Sequence, residues 1–286
     1  MHFRAASGNN GYMDAQFTKR LVIDSHHHLG RKMRQGQPFR VSGDDVIRSM
    51  DATGVDLTIV MHFVAALRTS EDFVAANDLA VAECAAHPDR LVPIAVVHPF
   101  LPRAGSAELS RCAELGIRGV KLHPIAHGYY ELDRAVDPLV RAAGEAGLPV
   151  VIHSDFAHHV CSPYAIAALA RRCPETTIVL LHLGLQPAMC HLVPEVVESE
   201  PNVIVDTSQT CDKPDEVYGR PVALLGAERV MFGSDGPECD VSVNLLKLAA
   251  ALERGVLTER DADLVLAGTA RLVFGVGATL EMSRIR

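Results

Sequence analysis

The chain has no tryptophan, and only 5% of its residues are aromatic. One common device for stacking sugar rings is therefore missing. No Cys-x-x-Cys occurs among the seven cysteines. An odd, scattered set of thiols suits a reducing compartment, so Cys161, Cys211 and Cys239 are expected to be ordinary reduced thiols and the protein to be cytoplasmic. Long apolar runs are absent too, and none approaches the length that crosses a bilayer. The opening Met1–Phe17 holds Arg4, Asn9, Asn10 and Asp14. It reads as a loose arm rather than a signal peptide. Positive charge is in deficit: 27 Lys and Arg stand against 35 Asp and Glu, a net charge of −8. A nucleic-acid partner needs a clustered basic face. Neither nucleic acid nor membrane is expected as a partner. The expected partner is a small-molecule substrate, and self-association into a homo-oligomer stays open. No glycine-rich phosphate loop follows the first strand-like run, which argues against an open, doubly wound sheet.

Apolar residues are plentiful, at 48% of 286 residues. Eight apolar runs read as strands, at 21–28, 56–63, 91–98, 117–123, 148–153, 177–182, 202–207 and 230–235. Most are rich in Val, Ile and Leu on both faces, as strands buried on both sides are. Helical stretches alternate with them. Asp44–Thr53 follows a capping Ser42, Ala107–Leu115 stops at Gly116, and Tyr164–Arg172 stops at Cys173-Pro174. Eight β-then-α units imply an all-parallel sheet, and eight is the number that closes a barrel. The expected fold is α/β, a single (β/α)8 TIM barrel over 18–286, with 1–17 as an arm.

Six of the eight runs end in histidine: His28, His62, His98, His123, His153 and His182. The eighth ends at Asp235. In a barrel these ends converge on the face where catalytic groups collect. Imidazole and carboxylate together form the ligand set of a catalytic divalent ion. Period-two alternation puts Asp24, His26 and His28 on one face, with Asp24 one pleat deeper as an orienting group. The same parity pairs His153 with Val151 and His182 with Leu180, and sets Gly233 beneath Asp235. His26, His28, His153 and Asp235 make one metal shell with a position left for water. Arg31, Lys32, Arg34 and Arg40 after the first strand, and Arg68 after the second, either clamp a carboxylate or lie in solvent. Tyr129 and Tyr130 either stack on a planar substrate or pack their loop.

Ile23-Asp24-Ser25-His26-His27-His28, Gly119-Val120-Lys121-Leu122-His123-Pro124, Val151-Ile152-His153, Leu181-His182-Leu183-Gly184 and Phe232-Gly233-Ser234-Asp235-Gly236-Pro237 resemble the amidohydrolase superfamily. The likeness is to its amidohydrolase-related branch, which includes aminocarboxymuconate semialdehyde decarboxylase and several lactonases. The resemblance implies metal binding by His26, His28, His153 and Asp235, and a His182 that faces the reacting group. Lys121 lies where binuclear members carry a bridging carboxylated lysine. It either bridges in that way or, with His123 and Arg68, holds substrate.

Two metal-dependent reactions use this set. In the favoured one, hydrolysis of an amide, lactone or ester, the ion activates water. Asp235 takes the water's proton and His182 steadies the oxyanion. In the alternative, non-oxidative decarboxylation, the ion holds the substrate's carboxylate or an adjacent oxygen, and His182 or Asp235 supplies the proton that replaces CO₂. A catalytically silent metal-binding barrel is the third reading, and the presence of all four ligand candidates and His182 speaks against it. One divalent ion is expected. Zn²⁺ suits three imidazoles and a carboxylate, while Mn²⁺, Fe²⁺ and Co²⁺ are accepted by the same donors.

Overall fold

The strands alternate with helices in the expected order. The structure, a computed structural model, describes residues 20–101, 103–213 and 217–277; the 1–17 arm lies outside them. Strands β1 (Ile23–Arg34), β3 (Leu57–His62) and β4 (Leu91–Pro93) form one parallel run. Strands β5 (Ala95–Val96), β6 (Val120–Leu122), β7 (Val150–Ile152), β8 (Ile178–Leu180), β9 (Val203–Asp206) and β10 (Val230–Met231) form another. β4 and β5 are one barrel strand interrupted at Ile94, whose N–H still donates to the Val60 carbonyl at 3.0 Å. Eight parallel positions result.

The barrel closes between its first and last strands. Ser25 N–H donates to the Phe232 carbonyl at 3.0 Å, Asp235 N–H to His26 at 2.8 Å, and His28 N–H to Gly236 at 2.7 Å. Side chains sort into two buried layers. Ile23, Ile59, Val151, Val179 and Met231 fill the barrel. Val60, Val150, Ile152, Leu180 and Val230 face the helices. This is the two-sided burial that apolar parallel strands require.

Helix boundaries follow local chemistry. Gly43–Thr53 starts at Ser42, whose hydroxyl accepts from Asp45 N–H while Asp45 caps Ser42 in return, and it ends at a left-handed Gly54. Ser70–Ala85 has the same reciprocal cap between Thr69 and Asp72. The closing segment widens into a π-turn at Leu264–Gly268 before Thr269–Phe274. Val265 carbonyl accepts from Phe232 N–H at 2.8 Å, which ties the last helices to the last strand.

Two expectations are corrected. Residues 30–41 form a hairpin rather than a loop, and Arg31, Arg34 and Arg40 on it lie in solvent. β1 runs on past the barrel and turns at Gln35-Gly36, both at positive φ, into the antiparallel β2 (Gln37–Val41), with Arg34 opposite Gln37. This is the two-residue hairpin geometry that matches strand twist. The cysteines are also not all reduced. Cys211 and Cys239 form a disulfide with Cα atoms 6.3 Å apart, because the loops after β9 and β10 are neighbours. The other five cysteines are buried and free. Thiol titration of the unfolded, unreduced protein should therefore count five thiols, against seven after reduction; seven before reduction would show the pair to be open.

Candidate metal centre

β1 does not alternate evenly. Its pairing with β3 shifts register between Asp24 and His27, and such a bulge re-aims side chains. Both His26 and His28 consequently turn inward. Asp24 does not share their face, and it orients backbone rather than a ligand ring. Its carboxylate accepts from Ser234 N–H at 2.8 Å, Ser234 Oγ–H at 2.6 Å and His26 N–H at 3.2 Å.

His26 Nε2 and His28 Nε2 lie 3.2 Å apart, and each faces Asp235 Oδ1, at 3.1 and 2.9 Å respectively. The three are buried and form a group able to hold a metal ion. Burial would raise the Asp235 pKa, but the imidazoles of His26 and His28 hold it well below the usual carboxylate range. Burial lowers the His26 pKa, opposed by the Asp235 carboxylate. Asp235 Oδ1 is left without a hydrogen-bond partner. An orphaned buried oxygen facing two imidazole nitrogens calls for a cation. Three donors about 3 Å from one another are spaced as ligands around a divalent ion roughly 2.1 Å from each.

Past the strand ends, parity fails. His182, Gln209 and Asp235 all have positive φ, at 65°, 54° and 64°. This is the left-handed region that non-glycine residues rarely occupy. Leu181 faces the barrel interior, yet His182 also turns inward, because the chain leaves the strand through that twist. His182 does not share Leu180's face, since Leu180 packs against the helices. Gly233 is needed, but for Asp206 rather than Asp235: a Cβ there would sit 2.0 Å from Asp206 Oδ2 and 2.9 Å from Ser25 Oγ.

His153 stands beside this trio in a second pair. Its Nδ1 lies 3.1 Å from His182 Nε2, and its ring stacks on His123 at 4.0 Å. Burial, with the nearby Lys121 ammonium, pushes His153 down to about 3. Lys121 is 1% exposed; burial lowers it to about 8, opposed by the carboxylates of Asp235 and Asp206. These groups line a cavity of about 220 Å³ with Lys32, Phe63, Leu185 and Gln209. A larger hollow of about 470 Å³ is lined by Leu57, Leu91, Arg118 and Gly275. It sits where strands begin, the end a barrel does not use for chemistry.

Arg68 is not in the cavity lining. It is exposed, donates its guanidinium to the Leu67 carbonyl at 2.8 Å, and offers its N–H to Asp72 at the start of the next helix. Lys32 supplies a cation instead, 4.6 Å over the Phe63 ring and paired with Glu238. Tyr129 packs its loop, 7% exposed. His62 and His98 are satisfied by backbone, at Phe63 O (2.6 Å) and at Phe100 N–H and His127 O. Sequence reasoning missed Asp206, Ser208, Gln209 and Ser234. The signal for Asp206 was present: the seventh apolar run, 202–207, carries a carboxylate one residue before its end.

The sequence profile of the amidohydrolase family matches residues 23–276, and the chain belongs to that family. No curated protein matches it. Among solved structures it resembles a manganese-bound 5-carboxyvanillate decarboxylase variant from Novosphingobium aromaticivorans, which also holds 3-methoxy-4-hydroxy-5-nitrobenzoic acid. That match has 18% identity and TM-score 0.74, covering 91% of this chain and 98% of that one. It also resembles 2,6-dihydroxybenzoate decarboxylase from Rhizobium (18%, TM-score 0.70, covering 90% and 99%). A third match is a probable 2-pyrone-4,6-dicarboxylic acid hydrolase from Acinetobacter baumannii with citric acid bound (18%, TM-score 0.67, covering 89% and 99%).

Replacing His26 and His28 together by alanine should remove bound metal and leave the far-UV spectrum unchanged, because strand-end groups serve function more than packing. Unchanged metal content by elemental analysis would refute the trio.

Proposed function

We propose that the protein is a metal-dependent, non-oxidative decarboxylase of a small planar carboxylic acid, in place of the hydrolysis that the sequence favoured. The observation that carries this is the lining of the 220 Å³ cavity beside the trio. Phe63, Val64 and Leu185 offer apolar contact, and Lys121 offers positive charge beside the Lys32–Glu238 pair. That combination suits a ring bearing a carboxylate. The two decarboxylases among the similar structures support the reading.

His26, His28 and Asp235 would hold a divalent ion, with His153 as the further ligand proposed from the sequence. Zn²⁺ suits these donors, and the manganese of one similar structure supports Mn²⁺ equally. When bound, the ion supplies a Lewis acid for the substrate's carboxylate or a neighbouring oxygen. The apolar side chains exclude water from the ring, and Lys121 orients its anionic groups. As the bond to the carboxylate carbon breaks, its electron pair stays on the ring carbon, which takes a proton. Asp235 Oδ2 would take up and pass on that proton in transit, since Oδ1 faces the imidazoles. Gln209 Nε2 donates to Oδ2 at 2.6 Å. An amide can serve either state of the carboxyl, donating to the carboxylate or accepting from the acid.

With candidate ring acids in D₂O, the metal-loaded protein should release CO₂ and leave deuterium on the carbon that bore it. Asp235→Asn should lower the rate by about 10²–10⁴-fold, the usual worth of a proton-transfer group. Solvent ¹⁸O in a new product carboxylate, without CO₂, would overturn decarboxylation in favour of hydrolysis.

A further inference from the structure

The geometry points to Ser208 as a positioning residue whose single hydroxyl sets the tautomers of His26, His182 and, through His182, His153. This rests on the metal-centre reading above and not on the class of reaction. Ser208 is fully buried just beyond β9. Its Oγ lies 3.1 Å from His26 Nδ1 and 2.9 Å from His182 Nδ1. It also makes a short bond to Asp206 Oδ1.

A hydroxyl has one proton to donate and two lone pairs. Asp206 is the acceptor on which this cluster's donors converge: Ser25 Oγ–H points to its Oδ2, and Ser208 N–H and Oγ–H point to its Oδ1. The Ser208 proton therefore goes to Asp206. Both imidazoles must then donate their Nδ1–H to the Ser208 lone pairs. The orientation of Asp206 is fixed in turn. Its Oδ2 accepts from Ser25 Oγ–H at 2.7 Å, and its Oδ1 accepts from Ser208 N–H at 2.9 Å.

The consequence reaches the metal face. With the proton on Nδ1, the Nε2 of His26 carries a bare lone pair toward His28 and Asp235. His182 Nε2 is likewise bare, so the atom 3.1 Å away, His153 Nδ1, must donate to it. The Nε2 of His153 is thereby also left as a lone pair. One oxygen thus prepares two of the four proposed ligands and holds His182 in place. His26, His182 and Asp206 also group closely enough to suggest a second metal position, but the Ser208 oxygen already bonds all three.

The test uses the zinc-loaded protein with ¹⁵N-labelled histidine. Wild type should show the Nδ1–H tautomer at His26, His182 and His153. Finding the Nε2–H tautomer at His26 or His182 would overturn the proposal without any variant. In Ser208→Ala, the tautomer of His182, which is not a proposed ligand, should become mixed. Mn²⁺ affinity should fall by about 10–100-fold, the usual cost of losing a group that orients a ligand. A folded Ser208→Ala with wild-type tautomers and wild-type affinity would also overturn it. Because no substrate is involved, these results stand or fall separately from CO₂ release.

Discussion

The seam that closes the barrel is the constraint on which the rest depends. It is made by backbone groups of Ser25, His26 and His28 pairing with Phe232, Asp235 and Gly236. The Asp24 carboxylate grips Ser234 N–H and its hydroxyl across the same seam. The metal trio straddles this line, with two members on β1 and one just beyond β10. Barrel closure and assembly of the site are therefore one event. A strand slip of one residue would turn the first strand's histidines out of the interior, so the register of the seam is also the register of the chemistry.

Function here sits just outside the regular strands. His182, Gln209 and Asp235 occupy left-handed backbone, at a cost of about 1–3 kcal/mol each. That cost is offset locally. Asp235 N–H pairs with His26, Gln209 pairs with the Asp235 carboxylate, and His182 is bonded through Ser208 and His153. The twist lets a short strand point consecutive side chains into one space, which even alternation forbids. It places the Asp235 carboxylate and the His182 imidazole over the same small cavity.

The electrostatics follow from burial. Desolvation lowers the His26, His153 and His182 imidazoles, while the neighbouring imidazoles lower the Asp235 carboxylate, and His26, His28 and Asp235 form a group able to hold a cation. Lys121 and the Lys32–Glu238 pair line the open side of the cavity. Asp206 and Ser208 lie on the far side of the same imidazoles and fix which nitrogen each offers. The centre is thus polarised from the back, by protons directed into a buried carboxylate, and open at the front.

The sequence by itself determined the barrel and pointed to the strand ends where His26, His28 and Asp235 gather, within a proposed four-ligand shell that also names His153. Those depend on local pattern: apolar runs buried on both faces, helix caps, and polar residues at strand ends. It did not determine the facing of Asp24 or His182, because a bulge and a left-handed turn are set by pairing with neighbours rather than by alternation. The hairpin after the first strand, the Cys211–Cys239 pair and the reach of Lys32 in place of Arg68 likewise arise from contacts between distant segments. So does the role of Ser208, whose three partners come from strands one, six and seven. A hydroxyl in a sequence has no assigned donor or acceptor; only the tertiary structure, by surrounding it with one carboxylate and two imidazoles, decided where its proton goes.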